Sequence, residues 1–266
     1  MAKRTVEELE LELNRLVTEL ERSLNSTLNR ILVSIDSLPE VERQAAILAL
    51  PNLISSAPGV AASLAGLEVI YGNELRAAID NVARATGQEI VATAADLQVT
   101  AGLIEITKNQ VDAQLTGYIT DLQETLYTGT LTSAAISVLD FRDTFEPRLF
   151  RNIETEMLTS LMSYNRTYNI AKAQEVGITK FRYTGPDDSV TRPFCDHLLG
   201  DVTQQLPSGA RIPVEPRKHG IYTIDEIRTM RNGQGLPVFQ AGGGYNCRHT
   251  WSAVSDDRAK QLGFKG

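Results

Sequence analysis

Apolar residues recur at Val6, Leu9, Leu13, Leu16, Leu20, Leu24, Leu28, Ile31 and Ile35, in steps of three and four. At 3.6 residues per turn these positions form one stripe of a long amphipathic helix, and the Glu-rich remainder is its solvated face. The near-heptad spacing suits packing against a later helix of the same chain or pairing as a coiled coil. Leu38-Pro39-Glu40 ends the helix, because proline lacks an amide hydrogen and disfavours helix in the residue before it. A second helix is predicted over 41–50, ending at Pro51, and Ser55-Ser56-Ala57-Pro58-Gly59 reads as a turn. Alanine-rich helices are predicted over 60–86 and 89–126, with Ala61, Ala62, Ala65, Gly66, Ala77 and Ala78 small enough for close helix approach. Tyr127-Thr128-Gly129-Thr130 reads as a break, and a further helix is expected over 131–176 with Pro147 as a boundary or kink. Nothing in this region alternates as a strand does.

The pattern changes at Gly177. Ile178-Thr179-Lys180-Phe181-Arg182-Tyr183 alternates apolar and polar side chains, as a half-buried strand does, and Thr184-Gly185-Pro186-Asp187-Asp188-Ser189 is dense with turn formers. Thr223 with Glu226 three residues on forms a capping box, so a short helix is expected over 223–230, closed by Asn232-Gly233. Residues 236–239 are a second strand candidate and 255–262 a last helical turn or two. Most of the prolines and glycines fall in these last ninety residues. The expected fold is therefore mainly α: an elongated helical N-terminal domain, 1–176, followed by a small loop-rich α+β C-terminal module, 177–266.

Charge follows the same division. Residues 1–176 hold 14 Lys+Arg against 24 Asp+Glu, and residues 177–266 hold 12 against 9, giving −10 and +3 and the overall −7. An acidic helical region repels nucleic acid at long range, so a DNA-binding role would have to come from the C-terminal part alone. No apolar run approaches the ~18 residues of a membrane span, and no signal-peptide pattern opens the chain, so cytosolic synthesis without a membrane role is expected.

The candidate chemistry sits in two short stretches, Thr191-Arg192-Pro193-Phe194-Cys195-Asp196-His197 and Gly242-Gly243-Gly244-Tyr245-Asn246-Cys247-Arg248-His249-Thr250-Trp251. Between them they hold both cysteines, two of the three histidines and the single tryptophan of the chain. Residues two apart on a strand share a face, so each Cys-x-His can present a sulfur beside an imidazole. Two such pairs, Cys195 with His197 and Cys247 with His249, make a tetrahedral structural zinc set. The alternatives are a pair of buried reduced thiols with hydrogen-bonded histidines, a Cys195–Cys247 disulfide, or a catalytic thiol in which Cys247 is the nucleophile and His197 or His249 its base. Asp196 is placed either to orient a histidine or to stand as a loop carboxylate, and Arg192 and Arg248 to bridge to Asp187, Asp188 or Asp196. His219 reads as a solvent-exposed loop residue and Trp251 as a core anchor. The three glycines at 242–244 read as a turn that brings Tyr245 and Asn246 close to another backbone.

Asp187-Asp188-Ser189-Val190-Thr191-Arg192-Pro193-Phe194-Cys195, then Gly200, Asn232-Gly233-Gln234-Gly235-Leu236-Pro237-Val238 and Gly243-Gly244-Tyr245-Asn246-Cys247-Arg248-His249 form a series. Taken together, it resembles the C-terminal module of tailed-phage minor head proteins, the phage Mu protein F-like family of head morphogenesis proteins. Many members carry Cys-x-x-Cys in the first segment and Cys-Arg-Cys in the last, where this chain has Cys195 with His197 and Cys247 with His249. The resemblance covers about 178–254. It implies a non-enzymatic virion protein, present in few copies inside the head near the portal vertex, synthesised in the host cytoplasm and acting in head morphogenesis or in DNA packaging and ejection. Its helical region would dock on portal protein or major capsid protein, and contact with packaged DNA would not be sequence-specific. Other expectations compatible with the residues are a small thiol-dependent hydrolase or transferase using Cys247 and His249, a head–tail connector, and a coiled-coil adaptor.

Overall fold

The computed structural model describes residues 6–55, 57–132, 138–201, 203–215 and 219–264. A long N-terminal helical region precedes a small C-terminal region of short strands and helices, as the periodicity predicts. Among the described residues, six helices come first: α1 Val6–Asp36, α2 Glu40–Leu48, α3 Leu50–Ser55, α4 Pro58–Thr86, α5 Ala94–Thr132 and α6 Val138–Glu175. Among the described residues, no strand occurs before Lys180, and no helix is long and apolar enough to cross a membrane.

The α1 stripe is buried at Leu9, Leu13, Leu16, Leu20, Leu24, Leu28 and Ile35. Several helix boundaries differ from the sequence reading. Pro51 does not end a helix but lies in the first turn of α3, where a missing amide hydrogen has no intrahelical partner to lose. α5 starts five residues later than predicted because Thr93 and Asp96 cap it reciprocally. The Asp96 amide donates to Thr93 Oγ1 (3.2 Å), and the Thr93 amide donates to Asp96 Oδ2 (2.7 Å). The helix then runs through Tyr127-Thr128-Gly129-Thr130. One glycine costs a helix about 1 kcal/mol, too little to end one of this length. α6 likewise continues through Pro147, which removes one backbone hydrogen bond without stopping it.

The contacts divide the chain into two compact units, one of Glu10–Ile70 with Ala101–Met157 and one of Met1–Leu9, Tyr71–Thr100 and Leu158–Gly266. Within the first, α1 and α4 run antiparallel at close range. A Cβ on Gly66 would fall 2.6 Å from Leu16 Cδ1 and one on Gly59 3.2 Å from Ser23, so two turns up one helix match two turns down the other. Lys108 on α5 pairs with Glu68 on α4 (2.7 Å).

The second unit carries the chemistry. The end of α4 and the end of α6 run parallel, joined by Tyr71 to Ser160 (2.9 Å) and Asn81 to Asn169 (3.1 Å). The start of α5 runs antiparallel to α6, through Thr100 to Tyr164 (2.7 Å) and the buried Lys172–Asp96 pair (2.8 Å). After α6 come β1 Lys180–Thr184, α7 Pro193–Leu199, β2 Ala210–Arg211, β3 Ile221–Thr223, α8 Ile224–Thr229, β4 Arg231–Asn232, α9 Val238–Ala241, β5 Thr250–Val254 and α10 Asp256–Gln261. The larger sheet is antiparallel with order β3-β1-β5, its register fixed by Phe181 opposite both Tyr222 and Ala253. β2 and β4 form a separate two-stranded pair. The capping box on α8 is formed as predicted. Residues 236–239 are not a strand: Val238–Ala241 is a single helical turn led by Pro237, whose fixed φ suits the residue before a helix.

One core joins this sheet to the helices. Phe181, Tyr183, Phe194, Leu198, Tyr222, Ile227, Met230 and Trp251 pack with Val82 of α4 and Ile170 and Ala173 of α6. Trp251, fully buried, is the core anchor its sequence context suggests.

Candidate metal centre

The two stretches singled out by sequence meet around a pair of sulfurs. Cys195 comes from α7, and Cys247 and His249 from the segment that leads into β5. Both cysteines are buried free thiols, with Sγ atoms 3.8 Å apart. His249 Nδ1 lies 3.8 Å from Cys247 Sγ, and the donor atoms of Cys195, Cys247 and His249 all fall within 4.8 Å of one another. Among the described residues, these three form the one group of Cys, His and carboxylate side chains that can hold a metal ion.

His197, the fourth residue of the expected set, is not brought to the group. The expectation needs an extended chain at Cys195–His197, but Pro193 opens a helix there. In a helix two residues are about 200° apart, so Cys195 and His197 face opposite ways. His197 instead donates from Nε2 to the Gln204 carbonyl oxygen (2.6 Å). Asp196 does not orient a histidine; its Oδ2 accepts from Gln204 Nε2 (2.9 Å). Burial, then the nearby Asp187 and Asp201, push the Asp196 carboxyl above its usual range. His219 is a half-buried loop residue with positive φ, whose carbonyl oxygen accepts from Arg182; its predecessors Pro216-Arg217-Lys218 lie outside the described residues.

Of the two arginines, Arg248 behaves as expected, with Nη2 donating to both carboxylate oxygens of Asp188 (2.7 Å each). Arg192 does not bridge to a carboxylate; its Nη2 donates to the Tyr245 carbonyl oxygen (2.6 Å). Both hold the 245–248 loop against the 188–192 loop.

Two contributors have no Cys or His signature. Tyr183 of β1 stacks on the His249 ring (centroids 5.1 Å apart, planes 8° apart). Its hydroxyl lies 3.4 Å from Cys195 Sγ and 3.3 Å from Cys247 Sγ. Burial, then the two cysteines, push its ionisation well up, so it remains a neutral phenol. Arg166, buried on α6, donates from Nε to His249 O (2.6 Å), from Nη1 to Gln240 O (2.8 Å) and from Nη2 to Cys247 O. The signal for Arg166 is periodicity: it occupies a core position in the row Met162, Arg166, Ile170, Ala173, where a charged residue needs a buried reason.

The thiols differ in ionisation. The hydrogen bond to Cys247, then burial, raise the Cys195 pKa. The same bond, aided by the Arg166 charge, outweighs burial and holds Cys247 well below the usual thiol value. The group therefore favours one thiolate at Cys247 beside a protonated Cys195.

Gly243 makes the close approach possible. A Cβ there would collide with Cys195 Sγ, and the Gly243 amide donates to Cys247 Sγ (3.3 Å). Gly185 serves His249 similarly, since a Cβ would fall 2.6 Å from the ring. His249 Nε2 is buried without a hydrogen-bond partner. A cavity of about 200 Å³ opens beside the group, lined by Cys195, Cys247, His249, Arg192 and Arg248 among others. No protein-family model matches this chain, and no curated protein or solved structure is detectably similar to it.

Proposed function

We propose that the protein is a non-enzymatic structural component of a tailed-phage virion. In this reading it is a minor head protein at the portal vertex, acting in head morphogenesis or DNA packaging and ejection, with its C-terminal region stapled by one zinc. The observation that carries the reading is the convergence of the separate stretches behind the resemblance to Mu F-like proteins. Asp188 is paired with Arg248, Cys195 lies against Cys247, Asn232 Nδ2 donates to Gly242 O (3.1 Å), and Gln234 Oε1 accepts from the Tyr245 amide (3.1 Å). Segments spread over about sixty residues thus serve one fastening. The acidic helical region would dock on basic surface of portal or capsid protein, which would also shield it from packaged DNA.

Zinc is supported by the spacing of the donors. Two thiolates on one tetrahedral zinc, with Zn–S of about 2.3 Å, stand about 3.8 Å apart; the two Sγ atoms here are 3.8 Å apart. Cys195, Cys247 and His249 would hold the ion, which would supply a cross-link between α7 and the segment before β5 and draw the proton from Cys195.

Two measurements test the reading. Elemental mass spectrometry of the purified, tag-free protein should find about one zinc per chain, with two thiols titrating after chelation and denaturation. Quantitative mass spectrometry of particles from the virus that encodes the chain should find it at few copies per portal ring. Its absence from those particles would refute the virion assignment.

A thiol-dependent enzyme using Cys247 and His249 is the second reading, favoured by the cavity that reaches both residues and by the thiolate character of Cys247. Cys247→Ser separates the two. A staple loses its metal and melts lower, whereas a catalytic thiol leaves the melting point intact and abolishes turnover.

A further inference from the structure

We infer that the metal centre, if it is formed as proposed above, is completed by a small anionic ligand of the carboxylate class entering through the adjoining cavity, and not by a fourth side chain of this protein. The inference rests on the metal reading and on three further observations.

First, the donor count stops at three. A tetrahedral zinc takes four ligands, and sites with three protein donors leave the fourth position to water or to another exogenous group. Among the described residues, Cys195, Cys247 and His249 are the only metal-ligating side chains in the group. His197 is on the far side of α7 and engaged with Gln204, and Asp196 is engaged with the Gln204 side chain. The Tyr183 hydroxyl is engaged with both sulfurs, 3.4 Å from Cys195 Sγ and 3.3 Å from Cys247 Sγ.

Second, all three donors line one cavity of about 200 Å³. A water occupies about 30 Å³ of liquid, so the space admits an acetate-sized group. A staple sealed from its surroundings would need no such space.

Third, the lining selects for charge. Arg192 and Arg248 both line the cavity, each held in place by a hydrogen bond, to the Tyr245 carbonyl oxygen and to Asp188 respectively. Asp188 offsets the Arg248 charge, which leaves the Arg192 guanidinium as the principal cation. Positive charge and a metal at one small cavity suit an oxygen anion better than a neutral ligand. The chemistry of such a ligand is a carboxylate small enough to enter the cavity.

Cobalt(II) substitution tests this on the full chain, because the visible absorption of cobalt reports its ligand set without any activity being measured. The protein is loaded with cobalt and titrated with acetate and, as a second small anion, azide. The expected result is a saturable change in the cobalt bands with each anion, unaltered in His197→Ala. In Arg192→Gln, cobalt should still bind while acetate affinity falls by on the order of tenfold, the worth of one charge-assisted hydrogen bond. Far-UV circular dichroism checks that both variants are folded. A cobalt spectrum indifferent to both anions overturns the inference and leaves the metal reading standing. A cobalt spectrum altered by His197→Ala also overturns it, by assigning the fourth position to His197. Failure of the wild-type chain to bind cobalt or zinc removes the metal reading itself, and the inference with it.

Discussion

Arg166→Met removes the guanidinium that holds the 240–249 loop to α6 while keeping most of its aliphatic volume. Arg166 is 1 % exposed, and its three donor nitrogens reach the carbonyl oxygens of His249, Gln240 and Cys247. A buried acceptor left without a partner costs about 1–3 kcal/mol. Removing a buried charge also returns part of the desolvation it incurred, so the low end applies, about 3 kcal/mol for the three together. For a chain of this size each kcal/mol lowers the melting temperature by about 2–4 °C. The expected fall is therefore on the order of 6–12 °C. Trp251, the single tryptophan and fully buried in the same core, gives a local fluorescence readout of the transition. Arg166→Lys should recover less than half of the loss, because one ammonium on a flexible stem cannot present three donors in a planar fork to three carbonyls. If Arg166→Met melts within about 2 °C of the wild type, below even one lost hydrogen bond, the loop is not held this way and the reasoning fails.

Gly243→Ala places a methyl group onto Cys195 Sγ, and is expected to weaken zinc binding at least tenfold in a competitive chelator titration and to lower the Trp251 transition. Asp96→Asn removes the carboxylate that caps α5 and pairs with Lys172, whose side chain is 4 % exposed. Because Glu175 still reaches Lys172 (2.8 Å), the loss in urea denaturation should be about 2–3 kcal/mol, with Asp96→Asn/Lys172→Met recovering part of it. Asp196→Asn probes the reverse case. A carboxyl whose folded pKa is raised makes the fold pay for ionisation as pH rises from the unfolded value, about 3.9, through the folded one. The variant should therefore melt above the wild type at pH 7 and lose that advantage as pH falls below the ordinary carboxylate range; equal melting points at pH 7 would contradict it.

What was legible in the sequence was what a short window contains. The α1 stripe, the α8 capping box and the strand alternation at Phe181 and Tyr183 are all local periodicities, and each is formed. The misplaced boundaries also have local causes, but ones decided by side-chain geometry: Pro51 is a helix starter because Leu50 precedes it in the same turn, and Thr93 caps α5 only because Asp96 turns back to it. The meeting of Cys195, Cys247 and His249 was visible as two matching spacings, while the place of His197 was not, since Cys-x-His reads alike on a strand and on a helix. Arg166 and Tyr183 were harder still. Their roles depend on the approach of segments about 80 and 65 residues away, and only the charge standing in an apolar row of α6 hinted at one of them.

The segment before β5 explains why a spacing of one residue serves here. Cys247 and His249 act as equivalent positions: their side chains both turn to the Cys195 group, and their carbonyl oxygens both turn to the Arg166 guanidinium. Arg248 between them reaches Asp188. Three consecutive residues thus tie the segment before β5 to three partners, Cys195, Arg166 and Asp188. The proposed metal and the buried arginine would then not be redundant. The metal would fix the side chains of this segment to α7, and Arg166 fixes its backbone to α6.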